Sequence, residues 1–401
     1  MTQRRQFLGL TAGSGVALVA GGLALPAHAI QGVSKTEIVV GTMQDLSGPI
    51  AVLGKPVQNG MILRTEQANA AGGINGRKLK LLVEDMGYDP KKAVLAAQKL
   101  VSQDKVFAMI GTLGSPPSLA TMPLILDKGV LHLFPITAHH GNFDPFHKLK
   151  FALATPYPAS TKAGLLEMIR QKGSKRVAIL YQDDEYGLEV LRGTESALKD
   201  VNVPLVEKTS YKRGATDFSS QMQRIKAANP DLIVLGTIVR ETIGAMAVAR
   251  QLGYNGEFFG SQAAYMPAVA KAGGKAVEGL YAVTETPNPY RDDPKNPKLL
   301  NEWLDAYKAR FNEDADLYSV IGWMIMDIFV RAAEKAGPNL TADTLVTALE
   351  QHPYPRGFFG NPDMSWGPNK RLGNNQVRLA QIQNGRWNTV SDFLKDGSKA
   401  P

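Results

Sequence analysis

The chain contains no cysteine among its 401 residues. This absence excludes disulfide bonds, metal sites built from thiolates and a lipid-modified cysteine at a signal-cleavage point. Charge of one sign is not concentrated either, because 45 Lys and Arg are interleaved with 37 Asp and Glu. Nucleic-acid binding needs a basic stripe or basic runs, so the sequence predicts no nucleic-acid partner.

The motifs of the common enzyme classes are also missing. The chain has no G-x-x-x-x-G-K-[ST] phosphate loop, no G-x-S-x-G elbow and no H-E-x-x-H zinc pair. His139, His140 and His147 lie near Asp144 in "AHHGNFDPFH", and such side chains can bind a metal. Loop histidines also form ordinary hydrogen bonds or face solvent, and these lack the i,i+4 spacing of a helical metal site. We therefore predict no catalytic residue, no metal and no cofactor.

A long apolar run occurs only near the amino terminus. "TQRRQFLGLTAG" carries the twin arginines Arg4 and Arg5, and the apolar stretch that follows ends at Pro26 and the small-residue site Ala27-His28-Ala29. The alternative is a membrane anchor, but five glycines interrupt the stretch, which is short for a span of about 20 strongly apolar residues. We expect residues 1–29 to be a twin-arginine-like export signal cleaved near Ala29, and the rest to be a soluble periplasmic protein.

Short β-rich runs alternate with amphipathic helical runs along the rest of the chain. "TEIVVGTM", "LKLLVED" and "VFAMIGT" are predicted strands in the first part, and the pattern restarts after "TPYPAS" with "KRVAILYQDD" and "DLIVLGT". Such alternation indicates βαβ units around parallel sheets, and the length suits two domains. Near the end, "NGR" in "VRLAQIQNGRWNTV" predicts a β-hairpin turn.

Loops at the carboxyl ends of the predicted strands occupy equivalent places in both halves. They include "QDLSGPI", "GTLGSPPS", "FPITAHH", "YQDDEYG", "GTIVRE" and "GSQAAYM". Open α/β sheets bind ligands at this edge. Two α/β units with facing loops therefore predict a cleft that closes on a small molecule.

Several motifs together resemble those of the type I periplasmic binding proteins, in the branched-chain amino acid and amide branch. They are "VGTMQDLSGPIAVLG", "NAAGGINGRKLKLLVEDMGYDPKKAV", "FAMIGTLGSPPS", "RVAILYQDDEYG" and "ATDFSSQMQRIKAANPDLIVLG". The resemblance covers about residues 35–395 and implies two Rossmann-like lobes joined by a three-crossover hinge, near 155–158, 283–288 and 356–362. It places the first lobe at 36–155 plus 287–357 and the second lobe at 156–286 plus 358–395.

The same resemblance implies the ligand-binding residues. In the first lobe, Gly114 and Ser115 match the loop that holds the ligand's carboxylate, and a serine before prolines is typical of a helix N-cap with free N–H groups. The prolines that follow remove two amide donors. The remaining predicted first-lobe contacts are Ile136, Thr137, Ala138 and Leu53. The second lobe contributes Tyr186, Ile238 and Gln262.

Gln262 bears most directly on the ligand's identity. Amino-acid binders of this family usually have a carboxylate at the matching position, and a buried ammonium without a counter-charge is costly. We therefore expect leucine, isoleucine and valine to bind weakly or not at all, and Gln262→Glu to gain amino-acid affinity. Aromatic or aliphatic carboxylates and amides become competitive ligands. Arg240 is an alternative source of charge in the cleft, as is the acidic run 183–185.

The resemblance implies a non-enzymatic solute receptor of an ABC importer, which binds a small carboxylate or amide solute and delivers it to a membrane permease. The alternative is a sensory or hydrolytic protein on the same fold. A hydrolase would need a nucleophile with a base in reach, and Ser115 has no partner evident in the sequence beyond the histidine loop.

Overall fold

The computed structural model describes residues 30–395, so the predicted export signal lies outside the described residues. Two separate β-sheets, each flanked by helices, form two lobes. The strands are β1 Glu37–Gln44, β2 Lys78–Asp85, β3 Ala108–Ile110, β4 Leu131–Leu133, β5 Lys150–Phe151, β6 Val177–Gln182, β7 Leu205–Tyr211, β8 Leu232–Gly236, β9 Glu257–Gly260, β10 Tyr281–Thr284, β11 Gln376–Gln383, β12 Arg386–Thr389 and β13 Leu394–Lys395. The helices are α1 Ala51–Ala70, α2 Pro90–Gln98, α3 Ser115–Asp127, α4 Tyr157–Lys172, α5 Glu185–Val201, α6 Ser219–Ala227, α7 Val239–Gln251, α8 Pro267–Gly273, α9 Lys298–Phe311, α10 Leu317–Ala336 and α11 Ala342–Gln351.

The first sheet is parallel, in the order β2-β1-β3-β4-β5. Within it, Val40 of β1 pairs with Leu81 of β2 on one side and with Ala108 of β3 on the other. β3 and β4 are buried along their whole length. Helices cover both faces of such a sheet, which explains why its strands read as apolar runs without alternation.

Helices from distant parts of the chain pack on this first sheet. α1 and α10 approach so closely that a Cβ placed on Gly322 would lie 2.1 Å from the Val57 carbonyl oxygen. Asp316 begins α10 with a capping box, since its carboxylate accepts the Tyr318 and Ser319 N–H groups. The chain therefore returns to the first lobe after forming most of the second.

The second sheet is mixed, in the order β12-β11-β10-β9-β8-β6-β7, with β13 paired to β11. Strands β6 to β10 are parallel, and β11 runs antiparallel to β10. The predicted hairpin is confirmed, because Gln383 pairs with Arg386 around a two-residue turn of Asn384 and Gly385. Both turn residues have positive φ (56° and 71°), as a type I′ turn requires.

The chain passes between the sheets three times: after β5, after β10 and before β11. The third passage lies later than 356–362. Trp366 packs against Phe134 and Phe151 with ring centroids 5.2 and 6.3 Å apart, and Ala152 forms a bridge with Leu372. This segment therefore stays beside the first sheet until just before β11.

The helices α4 and α8 are additional to those predicted from the sequence. α4 begins at Tyr157 inside "TPYPAS", where Pro156 is the N-cap and Pro158 lies in the first turn. Prolines are tolerated there because the first N–H groups of a helix have no intrahelical acceptor. Within residues 30–395, no helix combines the length and apolar character needed to cross a membrane.

Candidate ligand-binding cleft

The loop after β3 places the start of α3 at the edge of the first sheet. The prediction that Ser115 is the N-cap is wrong: Gly114 takes that place with φ 90° and ψ 150°, and Ser115 is the first helical residue. Pro116 and Pro117 follow inside the first turn, and the Ser118 N–H bonds to the Gly114 carbonyl. The prolines therefore leave the Ser115 N–H as the amide of this turn that remains available to a ligand.

The Ser115 hydroxyl forms a buried pair with Thr137 from the neighbouring loop. The two hydroxyl oxygens are 2.6 Å apart, and Leu113 and Ile136 form a bridge that holds the loops together. Ser115 begins α3 and Thr137 lies in the loop after β4, so both hydroxyls are at the carboxyl ends of parallel strands. The first lobe thus presents two hydroxyl groups at the edge where such sheets bind ligands.

A cavity of about 90 Å³ lies between the lobes, beside the hinge. One water needs only about 10–15 Å³ by the same kind of measure, so the space can hold several non-hydrogen atoms of a small molecule. Loops after β4, β5, β9 and β10 and the first half of α10 form its wall. The lining residues are Phe134, Pro135, Ile136, Thr137, Ala138, Leu153, Ala154, Tyr157, Gln262, Ala263, Tyr265, Thr284, Glu285, Thr286, Leu317, Tyr318, Ile321 and Met324.

Glu285 is the one charged side chain among these lining residues. It lies in the second passage between the lobes, and its Oε1 accepts the Thr155 N–H at 2.6 Å from the first passage. Burial raises the pKa of Glu285 to about 7, while hydrogen bonds from Thr155 and Gln262 lower it. The cavity therefore contains a carboxyl group that titrates near neutral pH.

Gln262 also lines the cavity, but its amide is held by the hinge. Its Nε2 donates to the Thr155 carbonyl at 2.8 Å, and its Oε1 accepts from the Ser160 hydroxyl at 2.7 Å. A glutamine with both polar atoms bonded to protein offers little to a solute. Its observed role is to tie the loop after β9 to the first passage and to the start of α4.

Tyr157 in the cavity wall packs against Tyr186 behind it. The rings of Tyr157 and Tyr186 meet edge to face with centroids 5.0 Å apart. The Tyr186 hydroxyl donates to the Thr237 carbonyl at 2.9 Å and lies 2.8 Å from the Ser261 hydroxyl oxygen. Burial raises the pKa of Tyr157 to about 12, so its hydroxyl stays protonated at physiological pH.

A family model described as periplasmic binding protein matches residues 37–386, which is most of the chain. The chain belongs to the periplasmic binding protein family. A relative, the leucine-, isoleucine-, valine-, threonine- and alanine-binding protein of Pseudomonas aeruginosa, is 25% identical over 327 residues, covering 80% of this chain and 86% of that protein.

Solved structures of ABC transporter proteins share the fold. A branched-chain amino acid ABC transporter protein from Thermus thermophilus with bound valine has a TM-score of 0.81 at 17% identity, covering 91% of this chain and 98% of that one. A fatty acid ABC transporter substrate-binding protein from Thermomonospora curvata also has a TM-score of 0.81, at 24% identity, covering 92% and 94%. At these identities the likeness shows the two-lobed fold, and the solutes named belong to those proteins.

The predicted ligand residues of this periplasmic binding protein fall into two groups. Those in the wall of the cavity are Ile136, Thr137, Ala138 and Gln262. Those outside the wall, all in the cleft loops or the core beside it, are Gly114, Ser115, Tyr186, Ile238 and Leu53. Ser115 is connected to the wall through Thr137, and Tyr186 through Tyr157.

Tyr88 covers the first-lobe loop and was missed in the sequence. Its ring lies against Gly114, where an added Cβ would be 2.4 Å from Cε2. On its other side, the Arg213 guanidinium of the second lobe lies 5.1 Å from the ring centroid and pairs with Asp184 at 2.9 Å. Tyr88 is therefore a contact between the lobes as well as a cover for Gly114.

The acidic run 183–185 does not supply charge to the cavity. Asp184 caps α5 by accepting the Tyr186 and Gly187 N–H groups, and Asp183 pairs with Lys212. Arg240 is half-exposed beside Glu241, away from the lining residues. The carboxylate in the cavity wall belongs instead to Glu285. The one sequence signal for it was its position in the predicted crossover 283–288.

The histidine loop connects the lobes. His140 Nδ1 lies 2.9 Å from Glu189 Oε2, whose oxygen also accepts the His140 backbone N–H. His139 lies beside them, and the candidate ligand atoms of the three residues are within 4.8 Å of one another. Arg192 already forms a salt bridge with Glu189. We therefore interpret this cluster as a polar contact between the lobes and not as a metal site. Its acidic member is Glu189 and not Asp144.

Proposed function

We propose that this protein is the solute receptor of an ABC importer, exported to the periplasm, where it binds a small carboxylate or amide solute between its lobes and delivers it to a membrane permease. The carrying observation is the cavity at the hinge, which is walled by strand-end loops of both sheets. A ligand that contacts both lobes binds the closed arrangement more tightly than the open one. This difference in affinity drives hinge closure.

The chemistry of the wall supports a small, partly apolar solute. Ile136, Ala138, Leu317 and Met324 are apolar, and polar side chains such as Thr137 and Glu285 lie among them. Such a balance is typical of small-molecule sites. Ser115 N–H, together with the Ser115 and Thr137 hydroxyls, is the donor set on the first-lobe side that suits a carboxylate or amide oxygen.

Family membership and the names of relatives point to the same role. The Pseudomonas relative is named for binding leucine, isoleucine, valine, threonine and alanine, and both solved structures named above belong to ABC transporters. Carrying that role to this chain rests on its match to the family over 37–386. The permease partner is inferred from the role alone.

A solute panel tests this function. The protein is unfolded and refolded to strip bound ligand, and its melting temperature is then measured with amino acids, aliphatic and aromatic carboxylates, and amides. A ligand at 1,000 times its Kd adds roughly 4 kcal/mol of stability. At least one member of the panel should raise the melting temperature with 1:1 stoichiometry by calorimetry. A flat response across all classes contradicts the receptor function.

A hydrolytic function is the second candidate, because Ser115 is a buried hydroxyl at a helix start. Its hydroxyl is hydrogen-bonded to the hydroxyl of Thr137, which is not a general base. Incubation with esters and amides should show no turnover. Turnover lost in Ser115→Ala and kept in Ser118→Ala, whose buried hydroxyl bonds to Asn142 at 2.9 Å, would establish the hydrolytic function.

Export is tested independently of binding. Arg4→Lys combined with Arg5→Lys should prevent twin-arginine export, so that the precursor accumulates in the cytoplasm. Amino-terminal sequencing of the exported wild-type protein should begin at Ile30. Normal export of the double variant would instead indicate the general secretion route.

A further inference from the structure

We propose that Glu285 is the counter-charge for an ammonium group, so that the solute of this cavity is a zwitterionic amino acid and not a simple carboxylate. This inference rests on the proposed receptor function and names its solute class. It reverses the expectation drawn from Gln262 alone, because the carboxylate missing at that position is supplied from another loop of the same cavity.

The carboxyl group of Glu285 is anchored at the hinge. Its Oε1 accepts the Thr155 N–H at 2.6 Å. Further hydrogen bonds from the Thr155 and Gln262 side chains reach the same carboxyl group. Because Glu285 lines the cavity and is the one charged side chain among its lining residues, its charge faces no competing ion there.

No described lining residue carries a positive charge. A buried carboxylate without a cation nearby is unfavourable, and it either binds a proton or attracts a positive ligand. Tyr157, Tyr265 and Tyr318 are the other titratable groups of the wall, and burial raises the pKa of each of them, so all three remain neutral. The wall has no positive charge to pair with Glu285, and an ammonium group on the solute would supply one.

The opposite end of a zwitterion has its own donors. Thr137 lines the same cavity, and its hydroxyl is hydrogen-bonded to Ser115 at the start of α3. A solute with a carboxylate toward these hydroxyls and an ammonium toward Glu285 satisfies both ends. A carboxylate without an ammonium leaves Glu285 either charged and unpaired or forced to take a proton, which weakens binding.

Gln262 acts in this arrangement as a positioning residue. Its amide bonds to the Thr155 carbonyl, and the Thr155 N–H bonds to Glu285, so Gln262 and Glu285 hold the same peptide segment. Gln262→Glu in the wild-type background would place two carboxyl groups together, and one of them would be protonated. A gain of amino-acid affinity is accordingly expected only when Glu285 is neutralised at the same time.

Matched solutes provide the first test. Calorimetric titrations at pH 8 use each apolar amino acid beside its des-amino analogue, for example L-leucine beside 4-methylpentanoate. We expect at least one amino acid to bind roughly 30-fold or more tightly than its analogue, as for loss of one partner of a buried charge pair. Des-amino acids that bind as tightly as, or more tightly than, every amino acid overturn the role of Glu285 while leaving the receptor function intact.

Variants provide the second test. Glu285→Gln keeps an oxygen acceptor for the Thr155 N–H, and it should lose roughly 30-fold or more of the amino-acid affinity while the affinity for the des-amino analogue stays within about threefold. The double variant Glu285→Gln with Gln262→Glu returns a carboxylate to the cavity and should recover part of the loss. A melting temperature near that of the wild type shows that folding is kept. Unchanged amino-acid affinity in Glu285→Gln overturns the proposal.

The sign of the pH dependence gives a readout that needs no variant. An ammonium ligand binds the ionised carboxylate, so its affinity should rise as pH increases through about 7, the pKa of Glu285 in the free protein. Between pH 5.5 and 8.5 the expected rise is roughly 30-fold, from the fraction of ionised Glu285. The slope should vanish in Glu285→Gln, which assigns it to this carboxyl group. A fall in affinity with rising pH, or a slope that persists in the variant, overturns the proposal.

These outcomes separate the inference from the function on which it rests. If no solute of any class binds, both fail. If carboxylates or amides bind and amino acids do not, the receptor function stands and the role of Glu285 is wrong. If amino acids bind and Glu285→Gln removes that binding selectively, both stand.

Discussion

Gly114→Ala is the perturbation that most sharply tests the geometry of the first-lobe loop. Gly114 has φ 90° and ψ 150°, a region that only glycine occupies without strain. A side chain there costs about 1–3 kcal/mol in backbone strain. The added Cβ would also lie 2.4 Å from Tyr88 Cε2, and overpacking of this kind costs a further 1–3 kcal/mol or so.

Gly337→Ala is a matched control, because it separates the two contributions. Gly337 ends α10 with φ 81° and ψ −169°, and an added Cβ there meets nothing within 4 Å. It should lose only the backbone contribution of about 1–3 kcal/mol. The excess loss in Gly114→Ala is therefore the energy of the contact with Tyr88.

The measurement is urea unfolding of Gly114→Ala, Gly337→Ala, Tyr88→Ala and the double variant Gly114→Ala with Tyr88→Ala. The double variant should lose less than the sum of its two single changes, because removing the ring removes the clash. Solute affinity should fall in Gly114→Ala and not in Gly337→Ala. Equal destabilisation by the two glycine substitutions, with strict additivity in the double variant, would refute the placement of Tyr88 over the loop.

Two further predictions concern packing and closure. Gly322→Ala should lower the free energy of unfolding by about 1–3 kcal/mol despite the higher helix propensity of alanine, because the added Cβ would meet the Val57 carbonyl oxygen at 2.1 Å. The control is Gly367→Ala, where the nearest atom to the added Cβ is 4.0 Å away. Equal losses of stability in urea unfolding of the two variants would contradict the close contact between α1 and α10. His140→Ala should weaken solute affinity about threefold to tenfold without lowering unfolding stability, because the contact of His140 with Glu189 joins the two lobes. Unchanged solute affinity in calorimetry would mean that this contact does not favour closure.

Local signals in the sequence predicted much of the fold. Asp89 followed by Pro90 is a local helix-start signal, and α2 begins there, with the Asp89 carboxylate accepting the Lys91 and Lys92 N–H groups. The Asn384-Gly385 turn closes the predicted hairpin. These features depend on residues within a few positions of each other, and their backbone preferences are strong.

The candidate site was less readable because it depends on contacts between distant residues. Glu285 and Thr155 are 130 positions apart, and only the folded chain brings the two passages together. The assessment of Gln262 treated one position in isolation, whereas its amide is bonded to Ser160 and to the Thr155 carbonyl. The start of α3 was also misassigned from a single position. Ser115, before the prolines, was predicted to be the N-cap, but Gly114 is the residue with the non-helical backbone.

The helix α4 was missed because prolines at 156 and 158 resemble a linker when read alone. Their positions at the N-cap and first turn are compatible with a helix, and burial of Tyr157, Ala163 and Leu165 against the second lobe stabilises it. Tertiary packing supplies most of the stability of such helices, and a local pattern contains little of that information.

The most direct test of the receptor function combines identification of the native solute with a block of its cavity. The protein is purified from the periplasm of its own host, the small molecule released on unfolding is identified by mass spectrometry, and that molecule is titrated back. We predict one solute per chain and loss of its binding in Ala138→Trp, which fills the cavity from a wall residue that is 5% exposed. Absence of any released solute, or undiminished binding by a folded Ala138→Trp variant, would contradict a receptor that holds its solute in this cavity.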